Sequence, residues 1–312
     1  MFGLATNPAI LRPLAGDLRQ LASVRRIVLD DGPERGVRAL AFSTGAGLDF
    51  WALSDRSLDI GPLWFRGTPV AWQGPAGFVS PAVTNTQDDD RRGLERSFSG
   101  LLVTCGLDHI RKPPQGLLHG HLPFTPARLT AYGEDWNRSD PFLFCEGQIT
   151  QSRLNGEALR VHRRIEAPIG TTILRIHDRI ENLGAEPQRL ALLYHLNLGF
   201  PALQDASKLT LNDSYPVDLT SPGPQCFPTG QAQARITLTS PIPQSSFMTI
   251  VTFGASSLPF LQVWRNPSPA THILSIEPCT SMRLADGRSG PEPYLDPGAQ
   301  RDFHLEIAFV PG

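Results

Sequence analysis

The segment Thr172-Ile173-Leu174-Arg175-Ile176-His177-Asp178-Arg179-Ile180-Glu181-Asn182 decides the fold class. Leu174, Ile176 and Ile180 alternate with Arg175, His177, Arg179 and Glu181. A period of two residues marks a strand with one wet face. The chain on both sides reads the same way. Strand-like runs cover 142–154 and 159–167 before it, then 188–200, 208–211, 234–239, 246–253, 259–264, 272–276 and 303–310 after it. Nearer the start, 37–42, 48–53 and 58–65 are apolar runs divided by Gly, Ser and Asp. No heptad, internal repeat or strand–helix alternation interrupts the pattern. The expectation is an all-β chain, a single large antiparallel β-sandwich spanning 1–312 with few short helices.

The composition fits that expectation and narrows the function. The 29 prolines and 28 glycines are spread along 312 residues, which suits many strands joined by turns. A formal net charge of -2, with Lys and Arg scattered among Asp and Glu, favours neither nucleic acid nor an acidic membrane surface as partner. Cys105, Cys145, Cys226 and Cys279 are far apart without a CxxC pair, so free, buried thiols are expected rather than a disulfide framework or zinc ribbon. No signal peptide or membrane-length apolar run is evident, and the expected location is the cytoplasm. The one helical piece expected is short, around 15–22. Residues 74–97, with Pro75, Pro81, Asp88-Asp89-Asp90 and Arg91-Arg92, read as a long excursion that is either a functional loop or a holder of short helices.

Against this background, Leu192-Leu193-Tyr194-His195-Leu196-Asn197-Leu198-Gly199 stands out. On a strand, His195 and Asn197 point to one face, and burying both requires partners. Either the core satisfies them or they line a pocket. A second polar group lies in Leu118-His119-Gly120-His121, preceded by His109; Gly120 permits close approach of a ligand or of another backbone. His119 and His121 would project together from extended chain, as ordinary turn residues or as ligands. A metal reading would take His109, His119, His121 and Glu277, although no carboxylate follows the H-x-H pair closely. Glu277, before Pro278, is either a solvated strand end or a carboxylate aimed into a cleft. Arg56 either pairs locally with Asp55 or Asp59 or binds substrate oxygens, and Trp264 either packs in the core or stacks on a sugar. No G-x-S-x-G elbow, P-loop or dinucleotide fingerprint is present, which leaves nucleophilic hydrolysis, phosphoryl transfer and hydride transfer without support.

The order Leu118-His119-Gly120, Tyr194-His195-Leu196-Asn197-Leu198, Ile276-Glu277-Pro278 resembles the aldose 1-epimerase (galactose mutarotase-like) superfamily. The stretches Leu18-Arg19-Gln20-Leu21-Ala22, Asp55-Arg56-Ser57-Leu58-Asp59-Ile60-Gly61 and Gly100-Leu101-Leu102-Val103-Thr104-Cys105-Gly106-Leu107 are similar to its DUF4432-type branch over nearly the full length. The resemblance implies a supersandwich with a sugar cleft, no cofactor and no metal, and anomer interconversion of a free sugar or sugar acid. It implies His195 as general acid, Glu277 as general base, and His119 as a sugar-positioning residue. His121, Arg56, His109, Asn197 and Trp264 complete the expected substrate contacts, with His195 facing Glu277 across a sugar-sized gap. The family's arginine before the L-H-G histidine is missing here, and Arg56 is the expected replacement. Its further aspartate has only Asp213 and Asp218 as candidates. The alternatives are a sugar-binding protein without turnover and a metal-dependent sugar isomerase or lyase.

Overall fold

Alternating side chains need a sheet with a dry face and a wet or differently packed face, and the chain builds four sheets of this kind among its described residues. The computed structural model describes residues 1, 3–112, 116–221, 223–230 and 232–312, so Pro113-Pro114-Gln115 of the histidine-rich segment lie outside the described residues. The largest sheet has nine strands. Its order is Tyr215–Val217, Lys208–Leu211, Gln233–Ser240, Phe247–Gly254, Gln300–Pro311, Ile173–Asn182, Ala158–Pro168, Phe142–Ser152, Arg128–Asp135. A five-stranded sheet is formed near the N-terminus by Ser23–Val28, Arg38–Ser43, Leu48–Leu53, Asp59–Phe65 and Thr68–Pro69. A second five-stranded sheet runs Gln225–Pro228, Phe260–Asn266, Ile273–Cys279, Ala191–Leu198, Leu102–Leu107. A small pair, Gln188–Arg189 with Tyr294–Leu295, completes the set, and the ladders are antiparallel.

One contiguous hydrophobic core draws on all three large sheets: Phe42 and Phe50, Ile176 and Ile180, Leu196 and Ile276 all belong to it. The sandwich expectation is met. Within it sits a buried ionic group. Asp178 takes a core-facing position beside Ile176 and Ile180 and is bound through both oxygens by Arg163 of the paired strand, at 2.9 and 2.6 Å. Arg163 also reaches Asp59 at 2.9 Å, while Tyr194 donates to Asp178 at 2.7 Å and Thr104 donates to Asp59. The Asp55-to-Gly61 stretch thus ties three sheets together through Asp59.

The helix expected around 15–22 is not formed. Helical turns occupy Pro8–Leu11 and Leu18–Gln20 instead, because Asp17 caps a new turn at Arg19 and Ser23 already pairs with Ser43. Too few residues remain between cap and strand for a second turn. The 74–97 excursion holds only single turns, Pro81–Val83, Asp88–Arg91 and Leu94–Ser97. Among the described residues no helix is long and apolar enough to cross a membrane. All four cysteines are free; Cys105, Cys145 and Cys279 are buried and Cys226 is half-buried.

Candidate active site

The strand Ala191–Leu198 is buried on both faces, but the two faces differ. Leu192, Tyr194, Leu196 and Leu198 enter the main core. Ala191 and Leu193 enter a smaller cluster with Leu94, Val103 and Ile110, beneath the segment that covers this side of the sheet. His195 and Asn197 continue that second face, where the cover opens into a cavity of about 600 Å³. The cavity is lined by His119, His195, Gln262, Trp264 and Glu277, with Trp72 and Phe98 closing one side.

Strand register explains the gathering. Leu193 pairs with Cys279 and Leu196 with Ile276, which sets His195 opposite Glu277. Glu277 pairs in turn with Gln262. The next row on the same face holds Asn197, Ser275 and Trp264. His195 Nε2 lies 3.5 Å from Glu277 Oε1. The two are therefore neighbours on one wall, not partners across a gap as the sequence suggested, because both belong to the same sheet row.

Each member of the pair is held from behind. Asn197 Nδ2 donates to the carbonyls of Gly100 and His195, at 3.2 and 3.0 Å, which aims Oδ1 at His195 Nδ1, 2.6 Å away. Ser275 donates to the same Oδ1 at 3.0 Å. An amide oxygen can only accept, so His195 Nδ1 carries the hydrogen and Nε2 faces Glu277 and the cavity. Gln262 Nε2 donates to Glu277 Oε2, and Arg111 Nε donates to Gln262 Oε1 at 3.0 Å. That chain leaves Oε1 as the oxygen turned to His195.

His119 reaches the cavity from the cover. Its φ of 63° is left-handed, and its backbone N–H bonds Arg111 O at 2.8 Å while its carbonyl accepts from Gly106. Its ring meets that of His195 edge-on, centroids 5.4 Å apart. Burial, with the charges of His195 and Arg111 added, holds it well below the usual histidine range, so His119 is neutral at physiological pH. Gly120 next to it is required by close backbone approach: a Cβ there would stand 2.6 Å from the carbonyls of both Gly106 and His109.

Other expected contacts go elsewhere. His121 turns away from His119 because the left-handed residue breaks the extended path, and it bonds Asp108 at 2.9 Å. His109 bonds the same carboxylate at 2.8 Å and the Leu117 carbonyl at 2.6 Å. Burial works against the charges here, yet the two histidines hold Asp108 well below the carboxylate range, and Asp108 raises both of them. The four residues of the metal reading are thus divided, His109 and His121 at Asp108, His119 and Glu277 in the cavity. Among the described residues no three His, Cys, Asp or Glu side chains group to hold a metal ion.

Arg56 also lies outside the cavity lining. It is buried behind the wall and donates to the Ser97 carbonyl at 2.9 Å, propping the turn that carries Phe98. Asp55 is taken by Arg38 and Asp59 by Arg163, so neither is its ion-pair partner. The buried arginine in the cavity wall is Arg111, which the sequence reading missed. Asp213 and Asp218 are exposed, the first beside Arg235 and the second capping Thr220. Gln262 was legible as the residue two before Trp264 on one strand face; Arg111, in a loop, had no such signal.

A family model described as a domain of unknown function, DUF4432, matches residues 34–221. The chain belongs to the DUF4432 family. Among curated protein sequences none matches this DUF4432 chain. Solved structures share its galactose mutarotase-like fold. A Klebsiella pneumoniae protein, provisionally assigned as an aldose 1-epimerase, superposes with a TM-score of 0.75 at 19% identity, covering 99% of this chain and 89% of that one. A galactose mutarotase-like protein from Clostridium acetobutylicum gives 0.61 at 12% identity, covering 93% and 98%. A galactose 1-epimerase from Lactobacillus acidophilus gives 0.59 at 12% identity, covering 93% and 99%.

Proposed function

We propose that the protein is a carbohydrate epimerase that interconverts the anomers of an aldose, with His195 as general acid and Glu277 as general base. The observation that carries this reading is the side-by-side placement of these two groups, 3.5 Å apart, in a cavity of sugar size. The solved structures of shared fold, one of them a galactose 1-epimerase, support it.

Anomer exchange requires a proton to leave the C1 hydroxyl while another reaches the ring oxygen. Those oxygens are bonded to one carbon, so an acid and a base side by side on one wall can reach both. Glu277 Oε1 takes the hydroxyl proton as the C1–O5 bond breaks, and protonated His195 delivers its Nε2 proton to O5. The open aldehyde turns about C1–C2, and closure on the other carbonyl face returns both protons to their donors. Neutral His119 can donate to or accept from a hydroxyl without adding charge, and Trp264 offers an apolar face to the sugar. His109, His121 and Arg56 act in this reading as supports of the cover rather than as sugar contacts.

The test is NMR exchange spectroscopy between anomers across a panel of aldoses and sugar acids. Acceleration by the native protein that disappears in Glu277→Gln supports the reading. Binding without acceleration for every sugar would leave a carbohydrate-binding protein instead.

A further inference from the structure

The cavity has an excess of positive charge that the exchange chemistry does not use. Arg111 is buried, yet its guanidinium is bound only to neutral groups: Gln262, the Ser281 hydroxyl and carbonyl, the Ser289 hydroxyl and the Cys279 sulfur. Arg283 is half-buried and lines the same cavity, and its side chain has no hydrogen bond or ion pair among the described residues. A buried guanidinium is normally matched by a carboxylate or phosphate. The other cations at the rim are already matched, Arg92 by Glu95 and Lys112 by Asp90. Two guanidinium groups therefore share the cavity with one lining carboxylate outside such a pair, Glu277, which is committed to His195 and Gln262.

Position gives the excess charge a direction. Arg283 follows the Ile273–Cys279 strand, and its backbone N–H donates to Cys226 Sγ at 3.4 Å. Cys226 pairs with Gln262, which pairs with Glu277. Arg283 thus stands on the side of Glu277 opposite to His195, with Arg111 behind Gln262. Burial, with the Arg111 charge added, lowers the pKa of Arg283, the effect of a cation held where an anion would relieve it.

We infer that the cavity takes a sugar bearing an anionic substituent, held by Arg283 beyond the Glu277 end of the acid–base pair. The shared chemistry is a carboxylate or a phosphate; a guanidinium accepts either through paired N–H donors. The inference rests on the epimerase reading for the reaction but not for binding.

The experiment compares neutral aldohexoses, hexuronates and hexose 6-phosphates by calorimetric binding and by NMR anomer exchange, with the native protein, Arg283→Gln and Arg283→Lys. One anionic class is expected to bind about tenfold or more tighter than its neutral counterpart, the scale of a charge-assisted contact. Which class wins separates the carboxylate from the phosphate. Arg283→Gln is expected to raise Kd and KM for that class while changing kcat little, and Arg283→Lys to recover part of the loss. Equal affinity for neutral and anionic sugars, or an unchanged Kd in Arg283→Gln, would overturn the inference. Arg283-dependent binding of an anionic sugar without accelerated exchange keeps this inference and removes the epimerase reading. Accelerated exchange confined to neutral sugars does the reverse.

Discussion

Asn197 lies directly behind His195: its Oδ1 is 2.6 Å from the imidazole Nδ1, and two backbone carbonyls fix which way the amide points. The imidazole is therefore locked in one orientation before any ligand enters. Asn197→Ala removes the acceptor that holds Nδ1–H and is expected to lower kcat for anomer exchange by about 10–10²-fold, the scale of a misplaced reacting group. Rates of anomer exchange on the accepted sugar check this, and an unchanged kcat would mean that Asn197 does not orient the acid.

The acid and base themselves should report on kcat. Glu277→Gln and His195→Gln are each expected to lower kcat by about 10²–10⁴-fold with little change in KM, the usual range for a lost proton-transfer group. The double variant should fall little further than the worse single one, because the two groups act in the same step. Single-substrate kinetics on the accepted sugar decides it; additive losses would mean that the residues act independently.

Asp108 with His109 and His121 makes stability depend on pH. His109 has its pKa raised in the folded state, so its favourable pairing is complete below about pH 6.5 and is lost as pH rises through the raised value. Asp108 is held low, so its contribution is present above about pH 3.9 and is lost only as pH falls through the lowered value. Between pH 6 and 9 the native protein should lose stability more steeply than Asp108→Asn. Tm followed across that window tests it, and parallel curves would show that the cluster does not titrate as described.

Arg163 is the one cation of the buried group that joins three sheets. Arg163→Met leaves Asp59 and Asp178 without their shared partner and is expected to cost about 3–5 kcal/mol, as for other broken buried pairs. Urea denaturation measures the loss. A change below about 1 kcal/mol would mean that surface-like screening reaches this group.

The alternation around Leu174, Ile176 and Ile180 was enough to fix the fold class, because sheet periodicity is local. The same local rule placed His195 and Asn197 on one face, and the resemblance brought in His119 and Glu277; all but Asn197 line the cavity, with Asn197 behind it. What local reading could not supply was the path of the cover. The left-handed residue at His119 sends His121 to Asp108, and the turn at 54–58 sends Arg56 beneath Ser97. Arg111 enters the wall only because its loop folds back onto the site sheet, and no spacing in the sequence marks that contact. Asp178 is the converse case, a charged residue in a core-facing slot whose partner, Arg163, is set by strand register.

The two faces of the Ala191–Leu198 strand divide the protein's labour. The face carrying Tyr194 is built into the core and holds the acid and base to the sheet. Phe98, His119 and Arg283 come instead from connecting segments, which have no ladder to preserve. Such segments can exchange residues, lengthen or shift without disturbing the packing beneath. A descendant of this chain could therefore change the sugar it accepts while its chemistry stays in place, and the substitutions would be confined to the cover and its flanking hairpins.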